Sequence, residues 1–421
     1  MSVASHRIYD VRAGWLTERP LIGRLAVPLN TRTRSGLLKN SAQNGISSAS
    51  EMRFQYDAEW VDRGFSMGTD LPLTRGVLTP HPGKSTFAVL EDRAIGQSIL
   101  PLFSDSTHPS PYWSDEIGRQ ANAAVTLPHP TDALGALAIH SADDTPATDR
   151  FRVRRTSELP DLIYAFHAWE RAKADAADLA LLQRASTLPG QRLVFTVERD
   201  RVPQTVRLRS MSDPIDRPLW LHLSLLAAQR CGIRTVQSTL EREMGENVLF
   251  TTRADRTPQG APLMTLSAAV LAERHPGVRP LAPGYLAIAD ILNREGAAPS
   301  DDLPQVWRRM VFMAMTGGSG DTLHRWLFVR HPLGWRLAPA HSLEWFPNGG
   351  RPGLTIDGRR RLAMPDDALP LAPYFGLTVT DAKAILMDMR RTLSAWEDMA
   401  LEIGADPRDL ALMAPIFDEN L

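Results

Sequence analysis

Up to about residue 125, the apolar positions of this 421-residue chain come in short runs separated by turn residues; beyond residue 161 they recur mostly at helical spacing. In the first part, residues 21–27, 54–56 and 86–90 read as strands punctuated by Gly and Pro. Residues 34–50, rich in Ser, Asn and Gly with little periodicity, read as a long surface loop. Over 161–184, apolar residues such as Leu162, Phe166, Trp169, Ala176 and Leu179 form a helical stripe, which Leu188-Pro189-Gly190 stops. Residues 193–197 and 205–209 then read as two strands joined by a polar turn around Asp200. A helix over 218–230 ends at Cys231-Gly232, and 246–253 reads as a further strand. Beyond Leu266 nearly every periodic segment is helical: 306–315, 381–403 and 407–413. The pattern predicts an α+β protein in which a sheet-bearing region feeds a helical lobe, with no repeat at a solenoid period.

Composition acts mainly by exclusion. The 43% hydrophobic content fills cores of this size, and the length suggests about two or three domains. With 47 Lys and Arg against 48 Asp and Glu the net charge is -1, which disfavours a dedicated polyanion binder, so no direct nucleic-acid binding is expected. Cys231 is the single cysteine and cannot form an internal disulfide, while the N-terminal MSVASHRIYD lacks the apolar core of a signal peptide. A reducing cytoplasm fits best. The most apolar stretch, 219–228, is interrupted by His222 and Ser224 and is shorter than the roughly 20 residues of a membrane helix, so no membrane association is expected. The only lysines are Lys39, Lys84, Lys173 and Lys383; chemistry that requires a lysine between 174 and 382 is thereby excluded.

Candidate chemistry is sparse when motifs are taken singly. The histidines show no metal spacing with cysteine or with one another, and His222, within an apolar helix, reads as a hydrogen-bonded core residue. Gly317-Gly318-Ser319-Gly320 follows a helix rather than a strand and lacks the lysine of a phosphate loop. Arg359-Arg360-Arg361 reads as a solvated basic loop. Trp326, Trp335 and Trp345 are close in sequence and suit apolar filling of a cleft.

Taken together, several segments resemble the HipA family of bacterial toxin kinases. Phe54-Gln55-Tyr56 with Trp60, Gly64-Phe65 and Leu71-Pro72-Leu73 is similar to its F-x-Y-x-x-x-[WY] … LPL pattern, and Asp132 to Leu137 to its D-x-x-GAL segment. Arg253-Ala254-Asp255-Arg256 resembles the RFDR tetrad that closes the smaller lobe. Trp396 to Ala400, followed by Gly404, Met413 and Phe417, resembles its closing helices. The resemblance implies a kinase-like bilobal fold: a β-rich N-terminal subdomain over 1–125, a small-lobe-like region over 126–265 and a helical lobe over 266–421. Active members transfer the ATP γ-phosphoryl group to a serine of a translation factor and pair with a helix-turn-helix antitoxin.

That chemistry needs a phosphate-binding lysine, an acidic residue that orients it, a catalytic aspartate, and an Asn and Asp on Mg²⁺. Carried over by resemblance, the lysine position holds Arg207 and its orienting glutamate is Leu221. The ungapped catalytic-aspartate position is Gly320, with Asp321 next door, and the metal-binding asparagine is Arg325. Ser342 stands where the chelating aspartate belongs; Glu344 is either a substitute ligand or, as expected of a charged residue near a loop, a solvent-facing side chain. Arg207 and Arg325 thus mark degenerate nucleotide-binding positions, with no metal site, no cofactor, and a net-positive cleft. Losses fall on chemistry and matches on scaffold, so the sequence points to a pseudokinase acting by binding, with an antitoxin-like protein or a HipA-like relative as partner. The alternative is an active serine/threonine kinase using ATP and Mg²⁺, with Asp321 as base and Glu344 on the metal.

Overall fold

The computed structural model describes residues 6–28, 52–82, 84, 86–92, 134–141, 153–186, 193–272, 283–318, 320–347, 353–362 and 364–420. The chain falls into two compact units: one is mainly residues 1–151, the other mainly residues 152–186, 193–272 and 279–421. The predicted loop over 34–50, the Leu188-Pro189-Gly190 stop and the first residues of the segment beginning at Asp132 lie outside the described residues.

The first unit holds strands β1 (His6–Ala13), β2 (Leu21–Pro28), β3 (Arg53–Tyr56), β4 (Val77–Leu78) and β5 (Leu137–Ser141), with short helices α1 (Ala58–Arg63) and α2 (Ala88–Glu91). The sheet order is β4-β3-β2-β1-β5, antiparallel throughout. Alternation in β1 and β2 puts Tyr9, Val11, Leu25 and Val27 into the core. Tyr56 accounts for the juxtaposition of two resembling motifs: its hydroxyl donates to the Leu71 carbonyl at 2.6 Å and accepts from the Met67 N–H at 3.0 Å. Residues 86–90, expected to be a strand, turn into α2 instead. The Ala88 N–H at its start donates to the buried Asp70 carboxylate at 2.7 Å, a contact invisible to an apolar run with no alternation.

In the second unit, β6 (Val153–Arg154) leads into α3 (Arg155–Glu170) and α4 (Ala176–Ala185), followed by β7 (Phe195–Arg199), β8 (Val202–Arg207), α5 (Arg217–Arg230), β9 (Ser238–Glu243) and β10 (Glu246–Thr252). Their sheet runs β6-β7-β8-β10-β9, antiparallel except for the β6–β7 pair. The polar turn expected around Asp200 is present, with Asp200 and Arg201 both left-handed (φ 51 and 66), the conformation that matches the twist of a tight hairpin. α5 is capped by the Asp216 carboxylate, which accepts from the Leu219 N–H at 3.2 Å, and it ends as predicted at Cys231-Gly232. His222 is hydrogen-bonded as expected, its Nδ1 lying 2.9 Å from the Ser238 hydroxyl.

The remaining elements are β11 (Thr265–Ser267), α6 (Ala268–Ala272), α7 (Tyr285–Glu295), α8 (Pro299–Met315), β12 (Leu327–His331), β13 (Gly334–Leu337), α9 (Val379–Leu393), α10 (Trp396–Glu402) and α11 (Pro407–Asn420). The three-stranded sheet β11-β12-β13 corrects the expectation that this part is almost wholly helical. Its strands are three to five residues long, too short to impose a period of two. The helix expected over 381–403 is broken at Ser394-Ala395 into α9 and α10. The break lets Trp396 stack on Phe417, 4.4 Å between ring centroids, within an aromatic cluster completed by Trp220, Trp345 and Phe312. Asp409 of α11 accepts from the Trp220 indole at 3.0 Å and the Asp216 N–H at 2.8 Å, fixing the closing helix to the start of α5. The fold is thus α+β, β-rich at the N-terminus and helical towards the C-terminus. Among the described residues no helix is long and apolar enough to cross a membrane.

Candidate functional site

Four elements of the second unit converge on a cluster of charge. Arg207 is the last residue of β8, opposite Leu249 of β10. Arg217 opens α5 beside the Asp216 cap. Arg325 closes a single 3-10 turn, Leu323–Arg325, just before β12. Glu344 lies in the segment after β13, and that segment is pinned at both ends. Ala340 exchanges backbone bonds with the 234–236 strand edge, accepting from the Val236 N–H at 2.9 Å and donating to the Arg234 carbonyl at 2.8 Å. Beyond it, the Ser224 hydroxyl donates to the Leu343 carbonyl, and Trp345 is buried in the aromatic cluster. Residues 341–344 are therefore held in place between two anchors.

Glu344 does not face solvent, contrary to the expectation for a charged residue near a loop. Its side chain is 17% exposed; the Arg217 guanidinium donates to its Oε2, and Arg325 Nη2 lies 4.0 Å from the same oxygen. Burial favours the neutral acid, but Arg325, Arg217 and Arg207 outweigh it and hold the carboxyl down at about 2. Burial also lowers the Arg207 guanidinium to about 10, with Glu344 opposing the shift and Arg325 and Arg217 adding to it; it remains cationic at neutral pH. His341 is pushed down to about 3 by burial and by the nearby Arg207, Arg325 and Arg309, so its imidazole is neutral. Among the described residues, three buried atoms of this cluster find no hydrogen-bond partner: Arg207 Nη1, Arg325 Nη1 and His341 Nδ1.

Asp321 belongs to a different environment. It is buried, and its carboxylate accepts from the Tyr285 hydroxyl at 3.0 Å and from the Trp326 indole at 3.0 and 3.2 Å. Arg309 stacks over the same indole at 5.2 Å. Burial raises the carboxyl to about 6 even though Tyr285, Arg325, Trp326 and Arg309 all pull it down. Gly320 is left-handed (φ 66), and a Cβ there would meet only Arg325 Nη2, at 3.7 Å. An aspartate at this ungapped position would therefore be strained by its backbone rather than by crowding.

Leu221 faces apolar neighbours, packing with Leu225, Val236 and Leu249, so no acidic group takes its place beside Arg207 from that position. Ser342 is half-buried next to His341. The tryptophans divide: Trp326 packs on Tyr285, Trp335 on Arg330, and Trp345 on Trp220 and Phe417, so they do not fill one common space. Arg253, Asp255 and Arg256 form a buried ion cluster in which Arg253 donates through Nε at 2.9 Å and Nη2 at 2.7 Å, and Arg256 through Nη1 at 2.5 Å. The Arg359-Arg360-Arg361 run is exposed, as expected, and Arg360 pairs with Asp357 at 2.9 Å.

Mg²⁺ does not fit this donor set. A hard cation prefers several anionic or neutral oxygens. Here three guanidiniums surround one carboxylate, and among the described residues no three His, Cys, Asp or Glu side chains gather as a metal would need. Arg217 and His341, both at the cluster, carry no motif of their own: one is an ordinary first-turn residue, the other a lone histidine where the resembling pattern has tyrosine.

Residues 221–410 match the family model of the HipA-like C-terminal domain. Comparison with curated proteins gives no match. The fold is that of HipA from Shewanella oneidensis MR-1, solved in a complex with HipB and operator DNA: the TM-score is 0.62 at 12% identity, covering 98% of this chain and 95% of that one. The proinflammatory kinase CtkA of Helicobacter pylori is matched with a TM-score of 0.26 at 8% identity, over 54% of this chain and 90% of that one. Residues 221–410 are thus a HipA-like C-terminal domain, and the chain as a whole has the HipA fold.

Proposed function

We propose that this HipA-like chain belongs to a toxin–antitoxin type system but does not transfer phosphoryl groups, and that it acts by binding a protein partner. What carries this reading is Asp321: the one carboxylate beside the catalytic position is buried, with its oxygens taken by Tyr285 and Trp326. A general base has to reach the hydroxyl it deprotonates, and this one is committed to its own lobe. Glu344, the remaining carboxylate for a metal, is committed to Arg217. The partner class we favour is a helix-turn-helix antitoxin, because the matched HipA was solved together with HipB. The setting we favour is the cytoplasm, in keeping with the single buried cysteine.

The test is a Mg·ATP titration of the whole chain read by thermal shift, together with phosphate incorporation into protein. No Mg²⁺-dependent stabilisation and no incorporation are expected. Incorporation that Asp321→Asn abolishes would establish an active kinase and overturn this assignment.

A further inference from the structure

We infer that Arg207, Arg325 and His341 form a binding site for a phosphate-type oxyanion that is taken up without a divalent metal. This goes beyond the loss of phosphoryl transfer, since a fold that has lost a reaction need not have gained a ligand. Arg207 Nη1 and Arg325 Nη1 are N–H donors shut away from water, with no acceptor among the described residues. Leaving a buried charged donor unmet is costly, and native proteins meet such groups with protein, water or ligand. His341 Nδ1 is equally unmet; a neutral imidazole gives or takes one hydrogen bond there, as a phosphate carrying or lacking a proton requires.

The charge points the same way. Glu344 is the carboxylate that Arg207, Arg217 and Arg325 share, with Arg217 also 3.8 Å from Asp213 and Arg325 also acting on Asp321; Arg207 is left with Glu344 as its one acidic neighbour among the described residues, and Glu344 is the internal group that already occupies part of their field. An oxyanion satisfies two guanidinium edges at once, which a water molecule does only as a neutral dipole. Arginine suits this role better than lysine, because its planar fork presents paired donors. Inorganic phosphate and the phosphates of a nucleotide share the chemistry, and only a nucleotide brings a base as well.

Calorimetric titration of the whole chain with sodium phosphate in EDTA tests the site, with ATP in EDTA as the second arm. Saturable phosphate binding is expected, weakening as salt is raised. Arg207→Gln or Arg325→Gln should each lower the affinity by about tenfold or more, the loss of one charge-assisted contact. Glu344→Gln should tighten binding, because it removes the internal competitor; this gain guards against reading a misfolded arginine variant as a lost site. Equal affinity for phosphate and ATP would mark the site as one for the oxyanion, and tighter ATP binding would mark it as one for a nucleotide. Absence of binding in EDTA, or binding that requires Mg²⁺, would overturn the inference. The first of these would leave the non-catalytic reading intact, whereas Mg²⁺-dependent binding accompanied by phosphate incorporation would end both.

Discussion

Asp255→Asn will destabilise the second unit by about 3–5 kcal/mol, the range seen when one partner of a buried ion cluster is removed. Both Arg253 and Arg256 are buried, and Asp255 accepts from each of them at 2.5–2.9 Å. Asparagine keeps the shape but cancels the charge, so two guanidiniums remain desolvated against a neutral amide. Burial alone would raise the Asp255 carboxyl, and the two arginines more than reverse it, holding it well below the usual carboxylate range. A depressed carboxyl gives stability that is full above its unfolded value of 3.8 and is lost as the pH falls below it. Urea denaturation at neutral pH measures the loss, and the wild-type advantage over the variant should shrink in acid. A difference below about 1 kcal/mol at neutral pH would mean that Arg253 and Arg256 find other acceptors.

Acid will also act through His341, over a higher pH range. An unfolded histidine takes up its proton near 6.5, whereas burial and the surrounding arginines hold the native one at about 3. A base with a depressed native value contributes stability that is full above 6.5 and is lost as the pH falls towards 3. At about 1.4 kcal/mol per pH unit between those limits, the loss by about pH 4 amounts to roughly 3 kcal/mol. His341→Gln has nothing to titrate, so its denaturation midpoint should fall less steeply between neutrality and pH 4 than that of the wild type. Parallel profiles for the two proteins would show that His341 is not what acid acts on.

How far these features were legible beforehand depended on their range along the chain. The hairpin at Asp200, the helix closed by Cys231-Gly232 and the strand over 21–27 follow from local periodicity and turn chemistry, and the structure has them, with the two strands flanking Asp200 displaced by two or three residues from 193–197 and 205–209. The short strands β11 to β13 do not, because their pairing is set by partners some sixty residues apart, such as Leu266 with Phe328. Residues 86–90 form a helical turn rather than the strand their apolar run suggests for a similar reason: Asp70, the acceptor at the start of α2, lies 18 residues upstream.

The site divides in the same way. Arg207, Leu221, Arg325 and Glu344 were singled out by family resemblance, and the structure brings Arg207, Arg325 and Glu344 into one electrostatic cluster while Leu221 turns into apolar packing. Asp321 was singled out too, but its neighbours Tyr285 and Trp326 could not be read from spacing. Arg217 carries no sequence signal, because its role is created only when Glu344 folds against it from 127 residues away.

The cluster around Glu344 is built from guanidiniums and contains no primary amine, and the sequence has no lysine from 174 to 382 to supply one. Reagents that find nucleotide sites by acylating a lysine amine beside the phosphates therefore have no nucleophile to capture here. In a proteome labelled with such probes no label will report on this cluster, whether or not an anion occupies it, and its occupancy has to be read by arginine-directed dicarbonyls or by methods that need no covalent bond.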